Sequence, residues 1–396
     1  MPNIQTQKLE LANFPAKKDG YLFEYIATQK DGRESLISVK FEDKRFFLVL
    51  IKRENDYLIK ADKLSKISPI FIIKDALKAF CDLHSLDLTF SNIGGKKSPI
   101  LTNKNDHILK DIEFFANEFK SSKEIWVEIG FGSGRHLLHQ AKENPNIQFI
   151  GLEIHTPSIE QVIKQCKLQE IDNILICKFD ARVFLELLPS NSVGKIFIHF
   201  PVPWDKKPHR RVINQTFIEE SIRVLKKDGT LELRTDSQNY YEYSYNLFSS
   251  LNKVEFIIRK NINLPISSKY EDRWKKMEKN IYDLILVNQI TSEKKEFKSS
   301  MNFSKNIDIS KLKNGFENLV IKGDDFFIHF EKLYQCSGNC AVLKLSFGAF
   351  ERCEHKYLIF NNNKIQYFPN DSLPTKQSLK SHQIIEEFLY DRYNSS

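Results

Sequence analysis

"VEIGFGSGRHLL", Val127 to Leu138, gathers three of the chain's 14 glycines into five positions. Glycine lets a backbone turn with positive φ or approach a ligand closely, so the cluster marks a ligand-facing loop. Just before it, EIWVEIG alternates like a strand, and just after it RHLLHQAKE has the spacing of an amphipathic helix. Gly130, Gly132 and Gly134 therefore occupy a strand-to-helix turn, the place where open α/β sheets bind nucleotides.

The alternation extends outward. IQFIGLEI, TPSIEQVIKQCKLQE, ILICKFD, VGKIFIHF, NQTFIEESIRVLKK and TLELRTD read as further strands and helices. Such a series implies parallel strands with crossover helices, hence an α/β fold with a Rossmann-like, doubly wound, mostly parallel sheet over residues 106–292. Residues 1–105 carry short strand-like runs such as RFFLVLIK and one helical run, IIKDALKAFCDLHSL, and are expected to form a β-rich N-terminal domain. SNIGGKKSPILTNKND, rich in turn residues, reads as a linker. Residues 293–396 return to short strands and close on the helix QIIEEFLYDRY, an expected α+β C-terminal domain. A chain of 396 residues fits several domains, since single cores stop growing at about 250–300 residues.

Composition narrows the class. Charged residues make up 28% and no apolar run approaches bilayer length, so a soluble cytoplasmic protein with no membrane partner is expected. The six scattered cysteines do not form a secreted disulfide framework. A formal charge of +8 permits a nucleic-acid partner without requiring one.

The glycine loop has the spacing G-x-G-x-G, preceded by Glu128, and lacks the third glycine of a dinucleotide fingerprint. A pyrophosphate cradle is thus less fitting than a loop around an uncharged or cationic nucleoside. Glu153 ends the next strand, suited to both hydroxyls of a ribose; Asp180, followed by Ala181, ends the third, beside an adenine edge. Carboxylates at successive strand ends suit a sulfonium cofactor, although acids there can also simply cap helices.

The fourth strand runs into FPVPWDKKPHRR. Amine-directed nucleic-acid methyltransferases hold an Asn or Asp before a Pro-Pro-aromatic turn here, where this chain has Phe200. With no acceptor offered to an amine, a ring nitrogen with a free lone pair, such as guanine N7, is the more natural nucleophile. Lys206, Lys207, His209, Arg210 and Arg211 then form a cationic patch suited to phosphates.

EIGFGSG, FIGLEIH, FPVPWDKKPHRR, RTDSQNYYEY and SSKYEDRW, in this order and spacing, resemble the bacterial tRNA (guanine-N7)-methyltransferases over about residues 106–289. The resemblance implies a class I methyltransferase core, S-adenosylmethionine as cofactor, tRNA as partner, and methylation of the variable-loop guanosine at position 46. It assigns cofactor binding to Glu128, Glu153 and Asp180, and substrate contacts to Lys206, Asp236 and the segment Ser268, Lys269, Tyr270 and Glu271. One departure stands out. Where the family reads Pro-Asp-Pro-Trp, with the aspartate regarded as catalytic, this chain has Val202. Asp236 or Asp205 can supply the missing charge, and Asp236 is the better candidate because it also matches a substrate contact. The alternatives are a slow enzyme, a tRNA-binding relative without chemistry, or the same fold acting on another RNA, a protein or a small amine.

Cys336, Cys340, Cys353 and His355 have irregular spacing and read as structural residues, with no metal site expected. Phe326, Phe327, Phe330, Phe347 and Phe350 read as core. Tyr240, Tyr241, Tyr243 and Tyr245 fall on the helix after the fifth strand, where one or two are expected to line the RNA groove.

Overall fold

The structure is a computed structural model that describes residues 1–94, 107–266, 271, 277–295, 301–350, 352–362 and 364–394. The chain divides into two units: Met1–Thr102 together with Ser300–Ser396, and Asn103–Ser299.

The N-terminal segment contains β1 (Asn3–Thr6), β2 (Ala16–Lys18), β3 (Tyr21–Gln29), β4 (Glu34–Phe41), β5 (Lys44–Lys52), β6 (Tyr57–Ala61), α1 (Ile70–Leu83) and β7 (Leu88–Ser91). Alternate residues of these strands and the inward stripe Ile72, Ile73, Ala76, Leu77 and Phe80 of α1 form one apolar core.

The central unit follows with β8 (Leu109–Lys110), α2 (Ile112–Asn117), β9 (Glu124–Ile129), α3 (Arg135–Glu143), β10 (Ile147–Leu152), α4 (Thr156–Leu168), β11 (Ile174–Cys177), α5 (Ala181–Phe184), β12 (Val193–His199), α6 (Gln215–Val224), β13 (Leu225–Thr235), α7 (Gln238–Ser249), β14 (Val254–Lys260) and β15 (Tyr282–Asn288). Their sheet has the order β14-β15-β13-β12-β9-β10-β11-β8. β8 to β13 pair in parallel, and β15 returns antiparallel between β13 and β14. This is the doubly wound, mostly parallel sheet that the alternation implies. Lys226 and Lys227, expected at the end of a helix, belong instead to β13. α6 stops at Val224, and Leu225 is already paired with Val193 of β12. Strand order reverses beside β9, with β10 on one side and β12 on the other, so a crevice opens outside the carboxyl ends of these strands.

The C-terminal segment contains α8 (Ile309–Gly315), β16 (Leu319–Lys322), β17 (Phe327–Gln335), β18 (Cys340–Gly348), β19 (Cys353–Asn361), β20 (Lys364–Phe368) and α9 (Lys376–Tyr393). Where the sequence reading separates two flanking domains, β17 pairs with β3, Tyr334 opposite Gln29, and a single 12-stranded sheet takes strands from both segments. Phe47 packs edge-on against Tyr357 at 5.2 Å, and the Tyr357 hydroxyl donates to Asp62 at 3.0 Å. Phe326, Phe330 and Phe347 are buried in this unit's core, while Phe350 is exposed and stacks on Phe327. Cys336 and Cys340 face each other across the β17–β18 hairpin, and Cys353 Sγ lies 3.5 Å from His355 Nε2 on β19. Among the described residues, no helix is long and apolar enough to cross a membrane.

Candidate active site

Parallel pairing brings five loop starts to one edge. Ile129 lies opposite Leu152 and Ile198, Leu152 opposite Cys177, and His199 opposite Arg234. The residues that follow them, Gly130, Glu153, Lys178, Phe200 and Thr235, therefore emerge side by side, about 5 Å apart per strand.

Gly130, Gly132 and Gly134 all have left-handed φ, of 69°, 53° and 71°. Gly134, which caps α3, admits no side chain, since a Cβ there would fall 2.2 Å from Val162 Cγ2 of α4. In front of Gly130 the space is open: an added Cβ would meet nothing within 4 Å. Glu153 closes the loop from the next strand, accepting from the Gly132 N–H at 3.0 Å and from Ile154 and His155 N–H at 2.7 and 3.0 Å. A carboxylate has about four acceptor positions, so Glu153 keeps capacity for a further donor. An open glycine cradle edged by a carboxylate is a fit for the cofactor that the fold implies.

Glu128 is buried and accepts from His136 Nδ1 at 2.8 Å. Burial alone would lower the His136 pKa, but the charge and hydrogen bond of Glu128, helped by Glu232, outweigh it and raise the net value. The His136 ring lies 4.3 Å from that of His199, which is held well below the ordinary histidine range by burial, then by the charges of His136 and Arg234. Glu128 thus favours the His136 cation, while burial disfavours that of His199.

Asp180 does cap a helix. Its carboxylate accepts from the Arg182 N–H at 3.1 Å and pairs with the Arg182 guanidinium at 2.8 Å, while Ala181 beside it is buried.

The fourth strand ends in a tight turn. Phe200 and Trp204 both have φ of 49°, a region that bulky residues rarely adopt, and Phe200 N–H donates to Arg234 O at 2.7 Å. Val202 at the tip is 61% exposed. Lys206 and Arg210 face solvent, with the Arg210 guanidinium 5.1 Å from the Trp204 ring. Arg211, read from sequence as a phosphate-binding residue, is instead buried. Its Nε donates to Pro203 O at 2.8 Å and its guanidinium lies over the rings of Tyr240 and Tyr243, at 5.2 and 4.5 Å. It braces the turn from below.

The two candidate carboxylates differ in setting. The Asp205 side chain is 51% exposed and lies 3.3 Å from Arg211; that of Asp236 is 19% exposed and lies 3.0 Å from Lys279 Nζ. Beneath Asp236, Arg234 is enclosed. It donates to both oxygens of Asp283 at 2.5 and 2.7 Å, to Ile262 O at 2.9 Å and to Glu271 at 2.9 Å. Burial acts to lower the Arg234 pKa, yet Glu271 and Asp283 raise it on balance; burial also raises Asp283 despite the facing cation. Glu271, expected to touch substrate, thus points inward to Arg234. Ser268, Lys269 and Tyr270 lie outside the described residues.

The glycine loop, Glu153, Asp180, Phe200 and Asp236 follow strand ends on one edge, whereas Glu128, expected from the resemblance to bind cofactor, is buried against His136, and Arg211 and Glu271 are likewise inner supports. His136, His199, Arg234 and Asp283 join the site without having been singled out by motif or spacing. His136 carried one usable signal: it follows the glycine loop on the first turn of α3, eight positions after Glu128.

A family model described as "Putative methyltransferase" matches residues 122–284. The chain is 43% identical over 395 residues to the tRNA (guanine-N(7)-)-methyltransferase of Wolinella succinogenes, covering 98% of this chain and 100% of that protein. The protein of the same name from Campylobacter jejuni is also 43% identical, and that from Helicobacter hepaticus 38%, each over 98% of this chain and at least 98% of its own length. Near full-length similarity on both sides, with the methyltransferase sheet and its glycine cradle in place, means that the chain belongs to the tRNA (guanine-N(7)-)-methyltransferase family.

Proposed function

We propose that this chain transfers a methyl group from S-adenosylmethionine to N7 of a guanosine in tRNA, at position 46 of the variable loop by family resemblance, in the cytoplasm. The observation that carries the reading is the meeting of the Gly130–Gly134 cradle, the Glu153 carboxylate and the basic turn with Lys206 and Arg210 at one sheet edge. Relatives that carry this activity in their names support the acceptor.

When bound, the cofactor supplies a methyl group on a cationic sulfur. Glu153 and the glycine loop would hold its ribose, with Asp180 and Ala181 toward the adenine, and Glu128, hydrogen-bonded to His136, would support the loop from the strand that precedes it. Guanine N7 has a free lone pair at neutral pH, so alignment replaces base catalysis. Lys206 and Arg210 would take phosphates, orienting the RNA without reading sequence. Asp236, more enclosed than Asp205, would stabilise the positive charge that develops on the guanine ring.

Val202 favours a second reading, a tRNA-binding protein without chemistry. Nucleoside analysis of bulk tRNA from a strain lacking the gene separates the two. Loss of N7-methylguanosine, restored by the gene, is expected; an unchanged level contradicts methyl transfer.

A further inference from the structure

The tyrosine run of α7 splits into two faces. Tyr240 is fully buried and Tyr243 lies against the Arg211 guanidinium, so these two belong to the brace beneath the Pro201–Trp204 turn. Tyr241 and Tyr245, four residues apart, share another face of the helix. The Tyr241 ring stacks on Tyr282 with centroids 4.9 Å apart and planes 18° from parallel, and the Tyr245 ring lies 6.3 Å further on at 28°. Tyr245 is 40% exposed.

This ladder starts beside the active edge. Tyr282 pairs with Thr235, the residue before Asp236, on one side and with Lys260 on the other. Lys260 Nζ lies 5.5 Å from the Tyr282 ring centroid. α7 begins two residues after Asp236, so three near-parallel rings run from the strand end that precedes Asp236 outward to solvent, with Lys260 at the inner end.

We propose that the Tyr282–Tyr241–Tyr245 ladder is a stacking platform for unpaired RNA bases next to the methylated guanosine. The proposal rests on the reading of this chain as acting on tRNA. Every base offers a π face, so the exposed Tyr245 ring, held in line by the stacked Tyr241 and Tyr282 rings behind it, extends to a single-stranded base regardless of sequence, and Lys260 at the other end adds positive charge. Where the acceptor nucleotide leaves its stack to bring N7 to a methyl donor held at the sheet edge, the platform replaces the stacking its neighbours lose.

The test uses the full chain and unmodified tRNA carrying 2-aminopurine beside the acceptor guanosine, on either side in turn. Binding should quench the probe. Tyr245→Leu and Tyr241→Leu keep apolar bulk but remove the π face. Each should abolish most of the quench and weaken tRNA binding about tenfold. The salt dependence of binding and the affinity for S-adenosylhomocysteine should stay at wild-type values. Tyr245→Phe and Tyr241→Phe should restore both binding and quench. Because Tyr245 is the exposed end of the ladder, its variants report even where a Tyr241 variant folds poorly. Wild-type quench and affinity in Tyr245→Leu overturn the platform. If the wild-type chain fails to methylate tRNA, the parent reading falls. A 2-aminopurine RNA oligonucleotide then decides the platform separately, since Tyr245-dependent quench supports it and its absence overturns it.

Discussion

Arg234 Nη2 stands 2.9 Å from Glu271 Oε1, with both side chains only 2% exposed. This pair joins the strand that leads into Asp236 to Glu271, which the resemblance expects among the substrate contacts. Its strength depends on Asp283, which neutralises Arg234 from β15. Breaking one partner of a buried ion pair leaves an uncompensated charge and costs about 3–5 kcal/mol. Arg234→Met, which strands two carboxylates, should therefore lower the urea midpoint more than Glu271→Gln, which leaves the Asp283 pair intact. Equal midpoints would mean that the three charges do not act together.

Stability should depend on pH through two histidines of opposite sign. His136 has a folded-state pKa above its unfolded value, so its contribution is complete below about pH 6.5 and fades as pH rises through the folded pKa. The advantage of the wild type over His136→Gln should shrink across that rise. His199, whose pKa is depressed by burial, contributes above about pH 6.5 and loses its contribution as pH falls toward the folded value. Denaturation of His136→Gln and His199→Phe between pH 5 and 8 checks both slopes, which should have opposite directions relative to the wild type.

Glu153→Ala should weaken S-adenosylmethionine binding by about 1.5–3 kcal/mol, as a charge-assisted acceptor is lost and the Gly132 N–H is released. Asp180→Ala should act less on the cofactor and more on the fold, costing about 1 kcal/mol of stability as a lost helix cap. Calorimetric titration with S-adenosylhomocysteine, paired with thermal unfolding, distinguishes the two effects. Unchanged affinity in Glu153→Ala would remove that residue from the cofactor site.

Residues of the basic turn should separate by burial. Lys206→Glu with Arg210→Glu should weaken tRNA binding and reduce its salt slope by about one unit for each phosphate released. Arg211→Lys, whose native guanidinium is held by Pro203 O and two tyrosine rings, should disturb the turn and lower stability. Its effect on tRNA affinity should come with little change in salt slope.

Much of this was legible locally. The glycine loop, the strand-end acids and the β–α alternation are short-range patterns, and a doubly wound sheet converts them directly into one edge. Arg211 was not legible, because in DKKPHRR it resembles its solvated neighbours, and what buries it is α7, far along the chain. Arg234 stands inside the motif RTD, yet its importance comes from Asp283 and Glu271, which only the β13–β15 pairing and the chain between β14 and β15 bring near. The junction of the terminal segments was likewise hidden. A register of Tyr334 with Gln29 and Gln335 with Thr28 leaves no trace in either strand's own alternation.

Because Val202 stands where the resemblance expects an aspartate, the proposed chemistry rests on charge compensation by Asp236. Its most direct test is single-turnover methyl transfer to unmodified tRNA, with N7-methylguanosine read from the digested product, for the wild type, Asp236→Asn, Asp205→Asn and Val202→Asp. Losing one oriented charge at such a site costs on the order of a hundredfold in rate. Asp236→Asn should fall by about that factor at saturating substrates, Asp205→Asn by much less, and Val202→Asp combined with Asp236→Asn should recover part of the loss. Wild-type rates in Asp236→Asn would rule out charge compensation by that residue, and no N7-methylguanosine from the wild-type chain would rule out methyl transfer.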